Sequence, residues 1–129
     1  MKYEVLFDPF TERHYTRTFA KKYKGAWDLT FSLIREEFEQ IDILFFKSIA
    51  EYLTDKQADI VICKTEFKIA GTQESRHTSG NRCIVAVKKN TCVVHVLLIY
   101  GKTDLSGNNE TVQWKNLIRE NYPEYSKIV

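Results

Sequence analysis

The chain has 129 residues, 43% of them hydrophobic, 28% charged and 13% aromatic, which suits one domain with one real core and argues against a disordered polymer. Its formal net charge of +2 hides a segregation. Residues 64–102 carry seven basic and two acidic side chains, +5, against −2 for residues 1–63 and −1 for residues 103–129.

The opening MKYEVLFDPF lacks the long apolar stretch and small-residue cleavage site of a signal peptide. No window approaches the ~18 uninterrupted apolar residues of a membrane span, and Asp42 breaks the most apolar run, residues 41–46. The expectation is a cytoplasmic protein with no membrane association. Cys63, Cys83 and Cys92 form an odd set without CxxC spacing and with apolar or β-branched neighbours. They read as reduced thiols packed in a sheet. His77 and His95 do not complete a zinc pattern with them, so neither a metal nor a small-molecule cofactor is expected.

In chain order, residues 2–7 read as a strand with Tyr3, Val5 and Phe7 on one face, broken by Asp8-Pro9. Thr11 is the expected cap of a helix on which Tyr15, Phe19 and Tyr23 form a stripe. Gly25 interrupts it. Trp27, Phe31, Ile34, Phe38 and Ile41, spaced 4, 3, 4, 3, mark a second helix. The basic cluster Lys21, Lys22, Lys24 falls at the joint and reads as a solvated turn. Residues 44–55 suit either a short third helix or a loop. From Ile60 the pattern turns to strand: Thr65, Phe67 and Ile69 alternate with Lys64, Glu66 and Lys68. Residues 71–81, GTQESRHTSGN, read as a loop. Strands follow over residues 83–87 and 92–100, joined by the turn Lys88-Lys89-Asn90-Thr91. The second is apolar at both parities, which predicts a central strand. After a loop, Asn108 or Asn109 caps a last helix bearing Trp114, Leu117, Ile118 and Tyr122, which stops before Pro123.

The order predicts an α+β fold in one domain, residues 1–129: a small twisted antiparallel sheet of about four strands, with an N-terminal helical hairpin and a C-terminal helix packed on it. With the helices on one face, the basic side chains are left the other face or one end. A cationic surface on a rigid sheet is a footprint for a polyanion such as RNA. Lys64 belongs to that surface. Lys88-Lys89 reads either as a solvated turn or as a contact to ribosomal RNA backbone.

Three pieces in order resemble the RelE/HigB-type toxins of bacterial toxin–antitoxin pairs, within the RelE/ParE superfamily. The first is the strand end Phe67-Lys68-Ile69-Ala70-Gly71, similar to that family's L-x-K-I-R. The second is Ser79-Gly80-Asn81-Arg82 running into Ile84-Val85-Ala86-Val87, similar to G-G-x-R-I-I-Y. The third is Val96-Leu97-Leu98-Ile99-Tyr100-Gly101-Lys102, similar to L-L-x-I-Y-G-K. The resemblance implies a ribosome-dependent, metal-free endoribonuclease, an mRNA interferase that inhibits translation and is silenced by a protein antitoxin. Its partners would be that antitoxin, the ribosome and mRNA. The chemistry drives the substrate's 2′-hydroxyl onto the adjacent phosphate. It asks for a base, for cations around the transition state and for a proton for the leaving 5′-oxygen.

By position, Lys68 matches the family's sheet lysine, a base or phosphate contact. Arg82 matches the arginine after the loop glycine, which stabilises transition-state charge through its planar fork. Lys102 matches the lysine after the Tyr-Gly turn. Tyr100 and Trp114 are the candidates for the tyrosine that stacks the cleaved base. Arg76-His77 has no match in the family; it reads either as a phosphate clamp beside a general acid or as an exposed loop pair without a role. His95, inside the most apolar strand, reads as a hydrogen-bonded core histidine. Ala70 and Thr103 stand where some members have basic residues, and Val87 lies near a common aromatic. These departures motivate an alternative: a catalytically eroded protein of the same fold that binds RNA or a partner protein without cleavage. A third reading is an interaction module whose basic sheet receives an acidic peptide. The nuclease reading requires Lys68, Arg82 and Lys102 to converge in one concave spot.

Overall fold

The computed structural model describes residues 2–101, 104–105 and 109–129. The first strand, β1 (Glu4–Phe7), buries Tyr3 and Val5 and exposes Glu4 and Leu6, as the alternation predicts. The next helix is capped by Asp8 rather than Thr11. The Asp8 carboxylate accepts from Phe10 N at 2.9 Å, and Pro9 takes the first helical position of α1 (Pro9–Thr11), where its missing N–H costs nothing. A π-helical turn (Glu12–Thr16) leads into α2 (Arg17–Lys22), and Gly25 turns the chain at φ 82°. Then α3 (Trp27–Glu39) buries Trp27, Thr30, Ile34 and Phe38, and α4 (Ile41–Phe46) follows at once.

The ambiguous residues 44–55 hold the end of α4 and a two-residue strand, β2 (Glu51–Tyr52), with Tyr52 stacked on Phe45 at 4.4 Å. Next come β3 (Ile60–Phe67), β4 (Asn81–Lys88) and β5 (Val93–Tyr100), antiparallel in succession. The stretch expected to be wholly loop contains one helical turn, α5 (Arg76–Ser79). Ser75 and Thr78 cap it reciprocally, and Gly80 ends it at φ 78°. The last helix, α6 (Glu110–Asn121), is capped by Asn109, whose side chain accepts from Val112 N at 3.1 Å. A 3₁₀ turn (Pro123–Tyr125) follows.

The sheet has five strands in the order β1-β5-β4-β3-β2 rather than about four. It is not wholly antiparallel, because β1 pairs with β5 in parallel, Glu4 opposite Val93 and Phe7 opposite Val96. The helical hairpin lies between those strands in sequence and supplies the crossover that a parallel pair needs.

The helices do not share one face. One core joins α2, α3 and α4 to Val61, Cys63, Phe67, Cys83, Val85, Val87, Val94 and Val96. A second joins Trp114, Ile118, Tyr122 and Tyr125 to Ile62, Ile84, Ala86, Leu97, Leu98 and Tyr100. The inner strands are apolar at both parities, so both faces need cover and no bare face remains for the basic residues. A bulge in β5 shifts the register. Ile84 faces Leu98 while Val85 faces Val96, which leaves Leu97 as the extra residue. Leu97 and Leu98 therefore both pack against the α6 side. Among the described residues no helix is long and apolar enough to cross a membrane.

Candidate functional site

At one end of the sheet β3 stops, β4 begins and β5 ends. Here Glu66, Arg82 and Tyr100 stand side by side in register. Glu66 Oε2 lies 3.2 Å from Arg82 Nη1, and the same carboxylate lies 3.1–3.2 Å from His77 Nδ1. Arg82 is 14% exposed at its side chain, Glu66 25% and His77 85%. One carboxylate thus holds a nearly enclosed guanidinium and an open imidazole. Arg82 also donates through Nη1 to Asn81 O at 3.3 Å. Among the described residues both contacts use the same nitrogen.

The capped turn α5 is what aims His77. Ser79 Oγ donates to Phe67 O at 2.5 Å and ties this turn to the end of β3. Successive side chains on the turn then diverge. His77 reaches Glu66, while Arg76 pairs with Glu37 of α3 and donates to Glu66 O at 2.9 Å. Lys68, exposed just past β3, lines a groove of about 440 Å³ against α3 with Thr30, Leu33, Ile34, Phe67, Glu37 and Arg76. Arg82 therefore groups with His77 on the α6 side, and Lys68 with Arg76 on the α3 side of the same rim. Lys102 lies outside the described residues, so the expected three-way convergence is represented by Lys68 and Arg82 alone, turned to different sides.

The remaining basic residues are dispersed. Lys64 pairs with Glu51 at 3.5 Å. Lys88 Nζ stands 5.6 Å from the centre of the Tyr125 ring, and Lys89 Nζ donates to Lys56 O at 2.6 Å. Lys88 is six residues along β4 from Arg82, about 20 Å at the rise of a strand. The +5 segment thus does not form one basic field: Glu37, Glu51 and Glu66 each take one of its cations.

Tyr100 is fully buried and donates to Glu110 Oε1 at 2.7 Å, which fastens the start of α6 to the end of β5. Burial, then Glu110, raises its hydroxyl pKa. Neither Tyr100 nor the 3%-exposed Trp114 presents an open ring to a base. His95 is hydrogen-bonded at both ring nitrogens, Nδ1 with Tyr125 Oη at 2.9 Å and Nε2 with Asp8 Oδ2 at 3.1 Å. Burial pushes the Cys63 thiol up to about 12 and raises that of Cys83 as well, so neither is a ready thiolate. Among the described residues no group of three His, Cys, Asp or Glu side chains is placed to hold a metal ion.

Sequence reasoning missed Glu66. The alternation of Lys64, Glu66 and Lys68 marks it as facing away from Phe67, but only the register of β3 on β4 shows that it faces Arg82.

No family model matches the chain, and no curated protein matches it. Among solved structures it is similar to a chain of the crystal structure of an archaeal RelE–RelB complex from Pyrococcus horikoshii OT3. The TM-score is 0.50 at 14% identity, over 81% of this chain and 100% of that one. The fold of this chain is that of a RelE-like toxin.

Proposed function

We propose that this chain is the toxin of a toxin–antitoxin pair and acts in the cytoplasm as a ribosome-dependent, metal-free endoribonuclease on mRNA. A protein antitoxin silences it, a partner supported by the fold's likeness to a chain of a RelE–RelB complex. The observation that carries the reading is Glu66 holding Arg82 and His77 together on an open rim. Glu66 engages Nδ1–H, which leaves the Nε2 lone pair to take the proton of a 2′-hydroxyl. The 2′-oxygen bonds to phosphorus as the bond to the 5′-oxygen breaks. The Arg82 guanidinium meets the charge that builds on the non-bridging oxygens. The departing 5′-oxygen takes its proton from Lys102 or from solvent water, because Lys68 is turned to the other side of the rim from Arg82 and His77. The products are a 2′,3′-cyclic phosphate and a 5′-hydroxyl.

A second reading is favoured by the neutralisation of Lys64, Arg76 and Arg82 by acidic partners. In it, the same scaffold binds RNA or a protein without cutting. Induced expression followed by mapping of mRNA ends separates the two. The nuclease reading expects growth arrest, cuts in the ribosomal A site, and a loss of at least about 100-fold in Arg82→Ala. Ribosome or RNA binding that Arg82→Ala weakens, with no cut at any excess of protein, gives the second reading. Folded protein with no effect on growth removes the first.

A further inference from the structure

Beside the rim, on the side of the helical hairpin, a cleft of about 230 Å³ opens between α2 and the start of β4. Lys22, Tyr23, Asn81, Gly101 and Asp104 are among its lining residues. Asn81 is 7% exposed, yet among the described residues its side-chain amide makes no hydrogen bond. As a lining residue of the cleft, it offers both a donor and an acceptor there. The carboxylate of Asp104 takes Gly101 N–H through Oδ2 at 2.6 Å, which leaves Oδ1 as a pure acceptor. Gly101 lies between the two. A methyl group there would stand 3.2 Å from Asp104 Oδ2 and 3.4 Å from Asn81 Oδ1. Lys22 Nζ rests 5.3 Å from the centre of the Tyr23 ring. A second cleft of about 210 Å³, reaching His14 and Tyr15, shares Thr18, Phe19 and Asp104 with the first.

We infer that this cleft receives one unpaired nucleobase of a single RNA strand and selects bases that carry an exocyclic amine, against uracil. The inference rests on RNA being the ligand of the rim. The Asn81 amide pairs donor to acceptor with a base edge, and an acceptor-only carboxylate beside it takes the amine hydrogens of cytosine or adenine. Uracil offers carbonyl oxygens in that place and meets repulsion. A base lying on Tyr23 takes the position of Lys22 and frees its ammonium for a phosphate. Asn81 and Arg82 are neighbours on β4 and point to opposite faces. A strand crossing the rim therefore meets the cutting side and the reading side in succession.

The test is fluorescence anisotropy on fully 2′-O-methylated oligomers of C, A and U, which lack the attacking hydroxyl and cannot be cut. Wild type is expected to bind the C and A oligomers about tenfold tighter than the U oligomer. Asn81→Ala and Gly101→Ala, each checked for folding by circular dichroism, bring that ratio to within about twofold. Arg82→Ala weakens all oligomers alike and keeps it. Equal binding by wild type, no binding, or a ratio that survives in both folded cleft variants overturns the inference. So does an Asn81 side-chain amide signal in nuclear magnetic resonance that a partner protein moves and no oligomer does. If unmodified RNA is never cut while the ratio holds, the nuclease proposal fails and the base cleft stands.

Discussion

Glu66 touches neither substrate nor reacting atoms in the proposed reaction, yet it sets the direction of two groups that do. Its carboxylate fixes which nitrogen of His77 keeps the proton and restrains the Arg82 fork. It is a positioning residue. Replacing it with Gln keeps the size and one acceptor oxygen but removes the charge. Glu66→Gln is expected to lower the cleavage rate on the order of 10–100-fold with little change in KM, read from single-turnover kinetics. Adding His77→Ala to Glu66→Gln should then cost far less than His77→Ala does in wild type, because the two act as one unit. Full additivity would mean that Glu66 does not orient His77. Arg82 and Lys68 were legible as candidates because their places follow glycine- and strand-bearing motifs. Their directions were not, since a side chain's face depends on where its strand ends and on which acid it meets. Lys68 sits just past the last paired residue of β3, so strand alternation no longer governs it.

Thr11 shows how elements far apart in sequence are joined. The bulge at Leu97 turns backbone carbonyls out of the ladder, and Thr11 Oγ1 lies 2.5 Å from Leu97 O, 3.1 Å from Val96 O and 3.0 Å from Tyr122 Oη. Tyr122 Oη reaches Leu97 O at 2.7 Å. The N-terminal helix, the irregular strand and the C-terminal segment thus meet at one buried polar point. Thr11→Val keeps the shape and deletes the hydroxyl. It is expected to cost about 1–3 kcal/mol, seen as a lower urea midpoint with unchanged slope. An unchanged midpoint would show that Tyr122 alone satisfies the bulge. The strands and long helices were legible because their apolar periods are strong, and Trp27, Ile34 and Phe38 are buried as spaced. Thr11 was misplaced because Asp8 and Thr11 are both good caps, and Pro9 favours the earlier start. The bulge left no trace beyond two adjacent leucines. The parallel pairing of β1 was hidden because strand direction at an edge is set by the path of the intervening helices.

Across the whole molecule, several buried acids keep their protons in the fold beyond the pH at which the unfolded chain releases them. Burial, with help from Asp42, raises Tyr3 from 10.0 to about 12, and burial raises Cys63 from 9.0 to about 12. Tyr122 and Cys83 are also raised. Their contribution to stability is complete below about pH 9 and is lost as pH climbs from 9 through 12. The urea midpoint should therefore hold level from pH 7 to 8.5 and fall steadily above that; a midpoint that rises with alkali would contradict these burial effects. The pairing of β1 with β5 has a consequence of another kind. The opening strand waits for a neighbour some ninety positions later, and the helix covering the far face belongs to the final twenty. Such distant pairings form late, after the chain has closed its long loop. A half-synthesised copy ends before Arg82 and has no rim, so under the proposed reaction the ribosome making this chain would be spared by its own product until late in synthesis.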